Sequence, residues 1–436
     1  MNKRALIISP HFAPLNAADM QRVRMSLPYF KDFGWDVEIV AADVKYSEVM
    51  KDELLLQSIP PDIKIHHVKA FSKTCTSKFG LGSLALRSLW FYRQKVNQLL
   101  KEKRFDLVYF STTEFPVCIL GAYWKKRFGI PYVIDMQDPW HSDYYKNKPK
   151  HQQPPKYWFS YRLHKYLEPI ALKKVDGLIS VSADYINDLK VRYPGIKNVP
   201  SAIITFGAFK PDMQIAEANK QLFKPLLDPN CINVVYIGRG GTDMHQAVGL
   251  LFKAFKKGLG MQPDVFKKIK LSFIGTSYAP ACQGKLTIMP LANEYGIGRN
   301  VTEITKRISY YHTLLTLQQA DALFIPGSDD PKYTASKIYP YLLTQKPLAA
   351  VFNKKSSVVE MLDECTRNAT VLTFPGDSNA EVDALYTVLS NWGNRLFTPV
   401  ALTKDFEKYS SEKLTGLQTE LFDKTITYFE GKNTNT

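Results

Sequence analysis

A chain of 436 residues is too long for a single small binding module and is expected to divide into two or three domains. With 45% hydrophobic and 22% charged residues its composition is that of an ordinary globular protein, which excludes disordered and collagen-like classes and predicts a sizeable buried core. Fifty-seven Lys and Arg against forty-one Asp and Glu leave a net charge of +16, which points to an anionic partner: nucleic acid, an acidic lipid surface or a phosphorylated small molecule.

Short apolar runs alternate with helical patterns from the first residues onward. Ala5 to Ser9 reads as a strand, and a proline-containing loop leads from it into a helix whose apolar positions Met20, Val23, Leu27 and Phe30 share one face before Gly34 ends it. Val37 to Val40 is the next strand. Leu107 to Phe110, a helix from about Pro116 to Phe128, and Tyr132 to Ile134 repeat the pattern, with Pro116 at a helix start where a missing amide hydrogen does no harm. The aromatic-rich basic stretch Tyr144 to Tyr166 is expected to be an amphipathic surface helix rather than a stacking platform, so no nucleic-acid partner is expected. A second set of strands begins at Ile232 to Ile237 and continues through Leu271 to Ile274, Ala322 to Ile325 and Leu348 to Val351. This grammar predicts an α/β protein of two doubly wound, Rossmann-like domains with parallel sheets facing across a cleft.

Phe206 to Asn230 contains Pro211, Pro225 and Pro229 and no clear strand, so the boundary is expected there, with domains at 1–207 and 208–395. Residues 396–436 are expected to form exposed amphipathic helices that pack back toward the first domain and end in a frayed polar tail. Function is sought on the loops at the strand carboxyl ends.

Four loops carry candidate chemistry. His11 to Asp19 opens a helix bearing Arg22 and Arg24, where backbone amides and a guanidinium suit an anion; Asn16 as a cap and Arg22 as a solvated face is the plainer alternative. Val133 to His141 runs from a buried strand into Asp135, Gln137, Asp138 and Trp140. There Asp138 is placed to orient an acceptor hydroxyl or take its proton, while Asp135 or Asp138 acting only as a cap is the alternative. Tyr236 to Asp243 is a strand entering a turn with Gly238, Gly240 and Gly241 and one cation, Arg239, suited to a bidentate hold on phosphate, although a tight turn needs glycine anyway. Gly327 to Leu342 carries Asp329 and Asp330 in a long polar loop, then Ser336 and Lys337 in the first turn of a helix; a lysine there opposes the helix dipole unless an anion is bound.

The eight histidines show no spacing for metal ligands, and the five scattered cysteines indicate neither disulfides nor a cysteine zinc site, so no metal is expected and a reducing cytoplasm fits. The first apolar run is too short for a signal peptide, and no run of eighteen uncharged apolar residues occurs, so membrane contact is expected to be peripheral.

With these loops in hand the chain resembles the family 4 type of GT-B glycosyltransferases, particularly bacterial members that build surface polysaccharides. In the first half the resemblance rests on Gln21-Arg22, Phe33 to Val37, Phe105 to Tyr109, Ile130 to Asp135 through Asp138-Pro139-Trp140, Leu167-Glu168 and Val175 to Ser182. In the second it rests on Tyr236 to Arg239, Gln319 to Ala322, and Ser336 to Leu342 leading to Lys346-Pro347-Leu348. The resemblance implies a retaining transfer from a nucleoside diphosphate sugar, without metal, to a saccharide or lipid-linked saccharide acceptor. The net charge fits a cytoplasmic enzyme peripheral at an anionic inner membrane face. The resemblance places the acceptor in the first half, for which Asn16, Asp19, Arg22, Gln137 and Trp140 are the candidate contacts, with Asp138 the catalytic candidate that orients the acceptor hydroxyl or takes its proton. The donor falls in the second half, near Gly238, Gly240, Gly241, His245, Asp329, Asp330, Ser336 and Tyr339, where Arg239 and Lys337 neutralise the departing diphosphate.

The sequence departs from the family pattern in three places. The two glutamates usual in the donor loop fall on Lys332 and Pro340, so Asp329 or Asp330 is expected to hold the ribose or nucleotide binding is altered. The basic residue usual five positions past the arginine falls on Met244, leaving His245 as substitute, and Ala17-Ala18 stand where the family has paired glycines. These losses keep open a catalytically degenerate relative acting as a binding or assembly partner, and a sugar-nucleotide epimerase is the remaining alternative.

Overall fold

The computed structural model describes residues 2–433 apart from 144, 147, 151–152, 154–155, 278, 280–282, 331–337 and 377. The chain folds as two units, Met1–Gly207 with Tyr409–Thr436, and Ala208–Lys408.

The first unit is built on a parallel sheet of β1 (Lys3–Ile8), β2 (Trp35–Ala42), β3 (Lys64–Val68), β4 (Leu107–Ser111), β5 (Tyr132–Met136), β6 (Gly177–Ser180) and β7 (Ser201–Ile203), in the order β3-β2-β1-β4-β5-β6-β7. The central strands β4, β5 and β6 are buried along their whole length, which is why they read as unbroken apolar runs rather than alternating ones. After β3 the chain crosses to the other side of β1, so the strand order reverses between β1 and β4 and the loops leaving these two strands diverge around a crevice.

The second unit repeats the plan with β8 (Ile232–Ile237), β9 (Ile269–Ile274), β10 (Val301–Ile304), β11 (Ala322–Pro326), β12 (Leu348–Asn353), a short β13 (Thr366–Arg367) and β14 (Thr370–Phe374). The sheet order β10-β9-β8-β11-β12-β14 puts its reversal between β8 and β11. The strand that opens the Gly238 turn is therefore hydrogen-bonded to the strand that opens the Ser328 loop.

Three expectations are corrected. The helix expected from Met20 to Phe30 stops at Ser26, because Pro28 has no amide hydrogen to continue it; a separate 3-10 turn, Phe30–Phe33, ends in Gly34 at φ 75°. Residues 396–408 do not return to the first unit: β15 (Ala401–Leu402) pairs antiparallel with β13, and the return starts only at Tyr409. The final helix, Ser411–Asn433, is not an exposed one. Phe422 is fully buried with its ring centroid 5.0 Å from Tyr109, 5.3 Å from Trp35 and 6.3 Å from Phe30, and the Gln418 amide donates to the Ser26 hydroxyl at 2.8 Å. Gly177 in β6 leaves the space that the Thr425 side chain fills.

Candidate active-site loops

In the first unit, the loop after β1 and the segment after β4 meet through Asp19. Its Oδ2 accepts from the Thr112 hydroxyl (3.0 Å), the Thr113 amide (3.1 Å) and the Thr113 hydroxyl (3.3 Å), while Oδ1 lies 3.5 Å from His11 Nδ1. Desolvation pushes the buried Asp19 carboxyl up, but its hydrogen bond with His11, the charge of that imidazole and the two threonine contacts leave its pKa below the ordinary value. Burial pulls His11 down, and the Asp19 bond and charge, with Glu114 behind them, more than reverse this. The result is a charge-polarised dyad at the mouth of the β1/β4 reversal. Asp19 was legible in the sequence; His11 was not singled out, since one histidine after a strand carries no spacing signal.

Arg22 does not face a ligand. It is 4% exposed and donates from Nε to Asp135 Oδ2 (2.7 Å) and from its two terminal nitrogens to the carbonyls of Thr205 (3.0 Å) and Ile204 (2.8 Å). The same Asp135 oxygen accepts from Tyr109 (3.2 Å), Ser111 (3.1 Å) and Gln137 Nε2 (2.9 Å), so Asp135 is an internal strut between β4, β5 and the helix Gln21–Ser26. Gln137 also donates to Ser111 (3.0 Å) and to the Asp19 carbonyl (3.1 Å), which ties the strut to the dyad. Trp140, expected as an acceptor contact, is buried, stacks on Phe115 at 5.4 Å and also lines the cavity that Asp138 lines. Asn16 is not a helix cap; it accepts a 3.5 Å bond from Gln21 and takes part in the loop through its amide to the Met50 carbonyl.

Asp138 stands apart from this buried network. It lines a cavity of about 210 Å³ together with His141, Tyr185, Asp188 and Arg192. Desolvation, and then the negative charge of Asp19, raise its pKa above the ordinary carboxylate value. A carboxyl raised in the folded state favours the protonated form, so ionised Asp138 opposes folding above its unfolded pKa and the opposition disappears as pH falls below it. Asp138→Asn is therefore expected to leave the thermal midpoint at pH 7 unchanged or slightly higher while lowering turnover; a matched loss of both would reassign Asp138 to structure.

In the second unit, β8 delivers Gly238 to Gly241 and the 3-10 turn Thr242–Met244, then the helix His245–Met261. Arg239 forms a two-pronged pair with Asp243, Nη1 to Oδ1 at 2.8 Å and Nη2 to Oδ2 at 2.6 Å. Gly241 lies under this pair, where a Cβ would collide with both side chains. Asp243 also accepts from the Ser328 hydroxyl (2.6 Å), and its carbonyl accepts from the Asp329 amide (2.8 Å). Desolvation raises the Asp243 carboxyl, but the Arg239 and Ser328 bonds hold it below the usual range. The β8/β11 reversal thus brings Arg239, Gly241, Ser328 and Asp329 onto Asp243, with the Asp330 amide donating to the Ser328 hydroxyl at 3.2 Å, while Gly238 lies against Tyr236 and Gly240 against Thr276 and Thr287; Asp243 had no role assigned from the sequence. Both prongs of the Arg239 guanidinium, expected to hold phosphate, face the Asp243 carboxylate.

Tyr339 is buried in the helix Ile338–Thr344, whose Tyr341 hydroxyl donates to the Ile237 carbonyl (3.0 Å) and accepts from the Ile237 amide (2.7 Å), fastening that helix to the end of β8. Ser336, Lys337 and Lys332 lie outside the described residues. His245 is corrected: it lines a separate cavity of about 330 Å³ with Lys253, Tyr295 and Glu381, whose walls include neither Arg239 nor Ser328 to Asp330. Among the described residues, no three His, Cys, Asp or Glu side chains converge as a metal set.

Residues 28–205 match the model of Glycosyltransferase Family 4. No curated relative matches the chain in sequence. Among solved structures, HepE of Anabaena, in complex with UDP and glucose, is 14% identical, with 97% of this chain and 100% of that chain covered and a TM-score of 0.53. The N-terminal domain of Candida albicans trehalose-6-phosphate phosphatase is 12% identical over 97% of each chain, with a TM-score of 0.58. An α,α-trehalose 6-phosphate synthase of Burkholderia multivorans is 10% identical, covers 97% and 98%, and has a TM-score of 0.54. At such identities the structural likeness is one of fold, and the fold is that of two Rossmann-like units with seven and six parallel strands. Residues 28–205 thus resemble Glycosyltransferase Family 4, and the two Rossmann-like units of the chain have the GT-B fold.

Proposed function

We propose that the chain transfers a sugar from a nucleoside diphosphate donor to a saccharide or lipid-linked saccharide acceptor, with retention and without metal, as a step in building a surface polysaccharide. The observation that carries this reading is the β8/β11 reversal of the second unit, where the glycine turn, Arg239 and the Ser328 to Asp330 loop converge at strand carboxyl ends. Backbone amides and a cation at such a place suit a diphosphate, and Arg239 with Lys337 supplies the positive charge that a metal gives elsewhere. The leaving phosphate then helps deprotonate the acceptor hydroxyl. The acceptor side is the first unit, where Asp138 orients that hydroxyl and the His11–Asp19 dyad holds the neighbouring loop. HepE, whose structure holds UDP and glucose, supports a uridine nucleotide as the first donor to try.

A second reading, a catalytically degenerate binding partner, is favoured by the Arg239–Asp243 pair and by Lys332 and Pro340 in place of the donor-loop glutamates. Thermal stability against UDP, GDP and their sugars, with magnesium and with chelator, separates the two. A nucleotide at 100 times its Kd stabilises by about 2.7 kcal/mol, or about 5–10 °C for a unit of this size. The expected result is a shift with one base, unchanged by chelator. A flat response across the panel would overturn the transferase reading in favour of the second.

A further inference from the structure

Residues 144–174 hold eight Lys and Arg against a single acid, so this stretch carries close to half of the net charge of +16. The acid, Glu168, is buried and paired with Arg192 at 2.7 Å. At its centre the helix Tyr157–Leu172 buries Leu167, Glu168, Ala171 and Leu172 against its own unit. At 100° per residue, Trp158, Arg162, Lys165, Tyr166 and Ile170, with Lys173 just beyond the helix, fall within an outward arc of roughly 140°. That arc contains no carboxylate. Trp158 is 64% exposed, Tyr166 69% and Ile170 38%, and the Arg162 guanidinium sits over the Trp158 ring at 5.6 Å.

Single exposed apolar residues are ordinary, but aromatics interleaved with cations along one helix face match the chemistry of a bilayer interface. Ring bodies settle at the headgroup level while cations meet lipid phosphates. We propose that this face of the Tyr157–Leu172 helix docks the protein on an anionic lipid bilayer. No helix among the described residues is long and apolar enough to cross a membrane, and the contact is one of surface.

Another side of the same helix borders the Asp138 cavity. Tyr161 packs on His141 at 4.7 Å between ring centroids and donates to Asp143 at 2.7 Å, and both His141 and Asp143 line that cavity. Docking would therefore set the mouth of the cavity beside the lipid headgroups, where a lipid-linked acceptor is held. Only this last step rests on the transferase reading.

The test is cosedimentation of the full chain with vesicles of phosphatidylcholine plus phosphatidylglycerol, and with pure phosphatidylcholine, at low and high salt. Binding is expected to the anionic vesicles alone and to weaken with salt. Arg162→Glu with Lys165→Glu is expected to lower partitioning by at least about 20-fold, since each cation near an anionic surface is worth about 1 kcal/mol. Trp158→Ser with Tyr166→Ser is expected to weaken binding at unchanged charge. Should the first pair lower the thermal midpoint, Lys165→Glu with Lys173→Glu probes the same face. Unchanged partitioning in these variants, equal binding to neutral vesicles, or binding of single-stranded RNA in place of vesicles would overturn the proposal. The nucleotide-induced thermal shift is read without lipid, so its absence beside intact vesicle binding counts against the transferase reading alone.

Discussion

Arg239→Ala is expected to lower turnover about 100- to 1000-fold, the usual loss when one preorganised charge is removed from a developing anion. The thermal midpoint should move little, because the pair that Arg239 forms with Asp243 is partly solvated on both sides. The substitution does two things at once. It removes the cation proposed to meet the departing diphosphate, and it leaves the Asp243 carboxylate, still held by Ser328, as an unneutralised negative charge. If repulsion contributes, Arg239→Ala combined with Asp243→Asn will recover part of the lost rate, and the two substitutions will be non-additive. Lys337→Ala should lower turnover in the same direction. Turnover within about threefold of the parent in both single variants would exclude the assigned charges from the reaction.

Asp135→Ala is expected to be the most damaging single change to the first unit, costing about 3–5 kcal/mol and lowering the midpoint by roughly 6–20 °C. Asp135 is 0% exposed, and its loss takes from Arg22, Tyr109, Ser111 and Gln137 the one acceptor they share in a buried interior. Asp135→Asn keeps one oxygen acceptor and should lose less than Asp135→Ala. Pairing Arg22→Met with Asp135→Leu removes both charges and should be less destabilising than the single alanine change. Thermal unfolding of the four proteins checks the ranking; a midpoint for Asp135→Ala within 2–3 °C of the parent would mean that Arg22 is satisfied by the Thr205 and Ile204 carbonyls alone.

The contrast between Asp135 and Asp138 marks where sequence reading ran out. Both are acids at the end of one apolar run, and nothing in their spacing says which faces inward. The pleat decides it: Asp135 lies within β5 opposite Ser111 of β4, while Asp138 falls two residues beyond the strand end, against Tyr185 and Asp188 from another helix. The same is true of Arg22. Its sequence context, one turn into a helix after a loop, is that of an anion ligand, yet the partner that claims it lies 113 positions away.

The amino-acid sequence by itself determined the buried central strands and the doubly wound class, because a strand buried on both faces must be continuously apolar. Ile232–Ile237 is legible to the residue. It also set glycine, arginine and acids directly after apolar runs, at strand carboxyl ends. Only the tertiary structure decided which charges meet. Arg239 and Asp243 meet within one turn, four positions apart, but strand order brings that turn against the β11 loop and so gives Asp243 its Ser328. Likewise the last helix, weakly patterned in sequence, became core because Phe422 found a ring of aromatics contributed by Phe30, Trp35 and Tyr109, more than 300 residues earlier. Local preferences act over a few residues, whereas pairing of buried charge and closure of a core depend on contacts that only the assembled sheet creates.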